Sequence, residues 1–159
     1  MRFLLSSNNE SNLELYTHEY FMNEALKQAK IAFEEGEIPV GAVVVSKNKI
    51  IGRAYNQTER LNDVTAHAEM LAITAAANTL GAKYLTDCRL YVTLEPCPMC
   101  AGALYWSQIS ELYFGASDPK RGFRQSNPAM LHPKTLVFSG ILAKESESLV
   151  LEFFKRLRE

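Results

Sequence analysis

Two short stretches concentrate the residue types that can do chemistry: Thr65-Ala66-His67-Ala68-Glu69 and, about thirty positions further on, Leu94-Glu95-Pro96-Cys97-Pro98-Met99-Cys100. One imidazole and two thiols are donors of the kinds zinc prefers. Their number matters, because structural zinc sites close with four protein ligands, whereas catalytic sites keep one position open for water. The chain has three cysteines, and the remaining one, Cys88, precedes Cys97 by nine positions at the start of an apparent strand. At roughly 3.3 Å per residue that strand carries it more than about 20 Å away, so Cys88 reads as a buried small apolar residue. Glu69 stands two residues beyond His67, close enough to reach whatever fills the open position. Zinc lowers the pKa of a bound water to roughly 7, and a neighbouring carboxylate can pass the released proton to a leaving group. That is the chemistry of hydrolytic replacement of an amine.

Two other readings of the same residues remain. A Cys-x-x-Cys pair after a strand can be a redox couple, which leaves His67 and Glu69 without a purpose. A structural zinc-binding module would need the missing fourth ligand. His18 and His132 are lone histidines and receive no role.

The elements that must position these groups follow from periodicity. Phe21, Ala25, Ala29, Ala32 and Phe33 recur at helical spacing, with Thr17 able to cap the start and Gly36 placed where a helix would end. Val40 to Val45 is apolar on both alternate faces, as in a strand covered on both sides. A polar turn at 46–49 returns the chain as a second strand from Ile50 to Tyr55, completing a hairpin. After a polar loop at 56–65, the alanine- and leucine-rich run from Ala66 to Leu80 reads as a helix with Thr65 as candidate cap and Gly81 as stop, placing His67 in the first turn. Arg89 to Leu94 reads as a third strand, and Cys97 opens a helix to about Ser107, where the exposed N–H groups of a helix start favour thiolate. Pro96 and Pro98 suit that junction. Leu112 to Gly115, Thr135 to Ser139 and Glu145 to Arg158 complete the set as two strands and a closing helix. Helices alternating with short apolar strands predict an α/β fold, a three-layer α/β/α sandwich on one mixed five-stranded sheet. Its two ligand-bearing helix starts would meet at one sheet edge, where open α/β sheets bind ligands.

Length and composition agree with this plan. At 159 residues, with 47% hydrophobic and 22% charged, the chain suits one ordinary globular domain over residues 17–159, preceded by a polar, flexible arm at 1–16. No apolar run approaches a membrane span or a signal peptide, and two of the three cysteines form the Cys-x-x-Cys pair, so a cytoplasmic location is expected. A net charge of −1 argues against nucleic-acid binding over the whole surface. Locally, Lys120, Arg121, Arg124 and Lys134 stand against Asp118 alone, a basic segment of +3.

The pattern His-x-Glu followed by Pro-Cys-x-x-Cys is a signature of zinc-dependent base deaminases. With Ile38-Pro39-Val40-Gly41-Ala42-Val43-Val44, Thr93 to Gly102 and Phe114-Gly115-Ala116-Ser117-Asp118, the chain from about residue 20 to 158 resembles the bacterial tRNA-specific adenosine deaminases of the cytidine deaminase-like superfamily. The resemblance implies a cytidine deaminase-like fold and one Zn2+ per chain on His67, Cys97 and Cys100. It implies proton transfer by Glu69 and substrate contacts at Asn56, Ala68, Pro96, Asp118, Phe153 and Phe154. It also implies a homodimer, for which Leu104, Tyr105, Trp106 and Ile109 offer apolar side chains. The implied reaction is adenosine to inosine in the anticodon loop of tRNA, with Lys120, Arg121 and Arg124 beside the site mouth and Lys155, Arg156 and Arg158 beside the two phenylalanines. Cations beside aromatics suit a splayed single strand. Cys100-Ala101-Gly102-Ala103-Leu104-Tyr105-Trp106 also resembles bacterial guanine deaminases, so deamination of a free purine base, guanine, is the alternative.

Overall fold

A computed structural model of the chain describes residues 16–159, so the expected arm at 1–16 lies, apart from Tyr16, outside the described residues. The elements are α1 (His18–Glu34), β1 (Gly41–Ser46), β2 (Lys49–Tyr55), α2 (Ala68–Leu80), β3 (Cys88–Leu94), α3 (Pro98–Ser107), β4 (Glu111–Ala116), α4 (Phe123–Ser126), β5 (Leu136–Ser139) and α5 (Ala143–Arg158). They build one five-stranded sheet in the order β2-β1-β3-β4-β5. The β1 strand runs antiparallel to both β2 and β3, while β3, β4 and β5 are parallel, so the sheet is mixed as expected.

Local chemistry explains the elements. Thr17 caps α1 by accepting from the Tyr20 N–H at 3.1 Å. The β1–β2 hairpin turns through Lys47 and Asn48, both at positive φ (51° and 62°). That is the turn whose twist matches the strands it joins. In β1, Ala42, Val43, Val44 and Val45 are all fully buried, because alternate side chains enter different cores. On one face Ala42, Val44, Leu90, Val92, Leu112 and Phe114 pack under α2 and α3. On the other, Val43, Val45, Tyr91 and Tyr113 meet Phe21, Met22 and Ala25 of α1, with Ile141 and Leu142 just before α5. At Gly41 a Cβ would overlap the backbone of Ala25 and Ala29, so glycine is what lets α1 lie directly on β1.

Several boundaries differ from the sequence expectation. The α2 helix starts at Ala68 with His67 as its N-cap, and Thr65 does not cap it, because its hydroxyl and N–H both go to the Asp63 carboxylate (2.7 and 2.8 Å). Cys97 is likewise the N-cap of α3 and not its first residue. Cys88 is the first residue of β3, opposite Ser46, and is fully buried, as expected. The short α4 was not expected. Among the described residues no helix is long and apolar enough to cross a membrane.

Candidate metal centre

The strand register brings the chemistry to one end of the sheet. Gly41 pairs with Tyr55, Leu94 pairs with Ala116, and the Gly41 N–H donates to Thr93 Oγ1 at 3.2 Å. The chain leaving β2 therefore reaches α2, and the chain leaving β3 reaches α3, side by side. His67 and Cys97 occupy N-cap positions, and neither side chain makes a capping hydrogen bond. Both are turned toward each other instead.

His67 Nδ1 lies 3.6 Å from Cys97 Sγ and 3.5 Å from Cys100 Sγ. A tetrahedral zinc with Zn–S near 2.3 Å and Zn–N near 2.05 Å holds such atoms roughly 3.6 Å apart. All three donor atoms lie within 4.8 Å of one another, and this is the one such donor group of three or more among the described residues. Cys88 does not belong to it, so among the described residues no fourth His, Cys or carboxylate ligand closes the group. The electrostatics fit a cation as well. The Cys97 thiol is drawn down to about 4, first by the Cys100 S–H donated to its sulfur and then by His67. That same anionic neighbour, together with burial, pushes Cys100 up. His67 is raised mainly by its hydrogen bond to Cys97. One sulfur anion excludes a second unless a cation lies between them.

Glu69, in the first turn of α2, is 4% exposed, and burial pushes its carboxyl up to about 7. Its carboxylate accepts from its own backbone N–H and interacts with the Cys100 side chain, which places it against the donor group. Asn56, just past β2, is 6% exposed. Its Nδ2 donates to the Ile38 carbonyl at 3.2 Å, while its Oδ1 is buried without a partner. A buried acceptor left unpaired costs about 1–3 kcal/mol, so this oxygen calls for a ligand donor.

The other expected contacts are placed less directly. Ala68 opens α2 and is buried in the core. Pro96 is buried, and its carbonyl accepts from the Phe123 N–H at 2.8 Å. The Asp118 carboxylate accepts from the Lys120 and Arg121 N–H groups at 3.1 and 3.0 Å, closing its own loop. Phe153 and Phe154 are half-buried on α5, and Phe153 meets Phe33 of α1 edge-on at 6.0 Å. Of the four apolar side chains considered for an interface, Leu104 and Ile109 belong to the core, whereas Tyr105 and Trp106 are exposed, Trp106 at 76%.

Three buried carboxylates escaped sequence reasoning: Glu24, which pairs with Lys27 and Arg53, and two that anchor loops, Glu37 and Glu95. Glu37 accepts from the Glu59 and Arg60 N–H groups at 3.0 and 2.8 Å, anchoring the loop between β2 and α2. Glu95 pairs with Arg124 at 3.1 Å. Its burial raises the carboxyl, but Arg124 and two backbone N–H groups hold it below the usual range. Arg124 also lies over the Phe114 ring at 4.9 Å, so it fastens the loop and is no free RNA-facing cation. Lys120 and Arg121 are exposed and have no ion-pair partner among the described residues. The only signal for Glu95 was a lone charge between an apolar strand and a proline.

Comparison with known proteins agrees with this geometry. Residues 15–116 match the family described as the cytidine and deoxycytidylate deaminase zinc-binding region. A tRNA-specific adenosine deaminase of Rickettsia bellii is 46% identical over 145 residues, covering 87% of this chain and all of the relative. A solved structure from work on A-to-I editing by tRNA:A34 deaminases at the wobble position of transfer RNA is 44% identical. It superposes with a TM-score of 0.76, covering 82% of this chain and 98% of that one. A guanine deaminase structure from Bacillus subtilis is 43% identical with a TM-score of 0.61, over 64% of this chain and 65% of that one.

Proposed function

The chain belongs to the cytidine and deoxycytidylate deaminase zinc-binding family and, within it, to the tRNA-specific adenosine deaminases, and on that premise we propose that it converts adenosine to inosine in the anticodon loop of tRNA. The observation that carries the chemistry is the three-donor group at tetrahedral spacing with one buried carboxyl beside it. His67, Cys97 and Cys100 would hold a zinc ion, which would supply a Lewis acid able to bring a water's pKa to about 7. Glu69 takes the proton shed as the purine C–O bond forms and delivers it to the amine as the C–N bond breaks, so water is consumed and ammonia leaves. Asn56 Oδ1 accepts from an N–H or O–H of the nucleoside. Ala68 and Pro96 shape the base pocket.

RNA as substrate is supported by the relatives and by the exposed Lys120 and Arg121 on a loop that Asp118 closes. A loop nucleotide is already largely unstacked, so drawing it into a pocket costs less than flipping a base from a duplex. Phe153 and Phe154 are assigned to the substrate rim in this reading, while Phe153 also packs α5 edge-on against Phe33 of α1. Residues 17–159 act as one deaminase unit, in the cytoplasm where tRNA is modified. Exposed Tyr105 and Trp106 on α3 serve a homodimer, whose mass by light scattering would be twice that of the chain.

A substrate screen for ammonia release tests the reading, comparing an anticodon stem-loop RNA with adenosine, cytosine and guanine. Deamination of the stem-loop is expected, weakening steeply as salt rises because phosphate contacts release counterions. Efficient turnover of guanine with no inosine in the RNA would replace it by the free-base alternative.

A further inference from the structure

We propose that Glu95 is a positioning residue, whose buried carboxylate fastens the substrate loop at 117–124 to the turn that carries Cys97 and Cys100. The proposal takes its substrate from the tRNA reading above, but its geometry stands without it. Glu95 follows β3 directly, and its N–H donates to the Ala116 carbonyl at the end of β4 at 2.8 Å. Oε1 accepts from the Asp118 N–H and from Arg124 Nη2, both at 3.1 Å, and Oε2 accepts from the Arg124 N–H and Nε, both at 3.2 Å. Four donors thus converge on one carboxylate, with the guanidinium gripping it through two nitrogens. The loop also closes over it: a Cβ at Gly122 would overlap the carboxylate, so only glycine lets the backbone pass there. At the next residue the Phe123 N–H returns to the Pro96 carbonyl at 2.8 Å.

The consequence is geometric. Residues on either side of the carboxylate, Asp118 and Arg124, are held relative to a point two positions before Cys97. Asp118 in turn fixes the backbone of Lys120 and Arg121. A buried ion pair adds little net stability compared with well-packed apolar groups, because desolvation offsets the attraction. What this one supplies is a fixed offset between the two exposed cations and the metal donors.

The test uses the full-length, zinc-loaded protein. In Glu95→Gln the neutral amide loses the charge-assisted bidentate grip while keeping its size. KM for the anticodon stem-loop should rise roughly tenfold, the order expected for losing charge-assisted hydrogen bonds, with kcat within about twofold and zinc content unchanged. Amide hydrogen exchange at Asp118 and Arg124 should accelerate. Arg124→Gln, which leaves both backbone donors in place, should reproduce the KM effect if Glu95→Gln does not fold. The two substitutions together should cost little more than either alone. Unchanged KM and unchanged amide protection would overturn the proposal, as would a variant that loses zinc and kcat, since Glu95 would then serve the metal turn and not the loop. A wild-type protein that makes no inosine in RNA refutes the tRNA reading instead. Amide exchange at Asp118 and Arg124 then decides the role of Glu95 by itself, acceleration supporting it and unchanged protection overturning it.

Discussion

Replacing Glu69 by glutamine keeps the volume of the buried side chain and an oxygen to accept from its own N–H, but removes the group proposed to take and return protons. A positioned general acid or base contributes typically 10² to 10⁴. In the mechanism proposed above one carboxyl serves both the attack on the purine and the departure of ammonia, so the loss should reach about 10⁴ or more, equivalent to about 5.5 kcal/mol of barrier. Among the described residues, the two other buried carboxylates that anchor loops are committed elsewhere. The Glu95 carboxylate is committed to Asp118 and Arg124, and Glu37 to the Glu59 and Arg60 N–H groups. The assay is single-turnover inosine formation in an anticodon stem-loop, run beside zinc analysis and a thermal melt. Glu69→Gln should hold its zinc and its fold. A rate within tenfold of wild type, with zinc retained, would mean that another group moves the proton. Loss of zinc would mean that Glu69 belongs to the ligand set.

Other substitutions probe the remaining parts. Cys97→Ser and Cys100→Ser each exchange a soft thiolate for a weak hydroxyl donor, and should abolish stoichiometric zinc binding as read by atomic absorption. Asn56→Ala removes the unpaired buried acceptor, so kcat/KM should fall about tenfold to a hundredfold, the worth of one buried hydrogen bond at about 1–3 kcal/mol. An effect under twofold would mean that Oδ1 meets no substrate donor. Gly41→Ala drives a methyl into the α1 backbone at Ala25 and Ala29. It should cost about 1–3 kcal/mol and lower the melting temperature by roughly 2–12 °C without touching the zinc stoichiometry.

How much was legible in the chain depended on distance along it. The order of helices and strands, the doubly buried β1 and the burial of Cys88 follow from local periodicity. His67, Cys97 and Cys100 could be singled out because their donor types and the His-x-Glu and Cys-x-x-Cys spacings are local features of the sequence. Helix starts themselves were misplaced by a residue or two, because Asp63 competes for the Thr65 hydroxyl that looked like a cap. The Glu95–Arg124 pair spans 29 positions, and no spacing rule connects them. Arg124 therefore counted as a free cation until its partner was seen. Leu104 and Ile109 show the same limit, since apolar residues on α3 could face either a partner or the core, and only the packing of α3 over the sheet decides.

The most direct test of the central claim is a zinc titration of protein stripped by a chelator, with inosine in the anticodon loop of a tRNA substrate as the readout. Activity should be absent without metal, rise in proportion to added zinc, and level off at one equivalent per chain. Inosine formed by metal-free protein, or fully zinc-loaded protein that leaves the tRNA unchanged, would contradict the account.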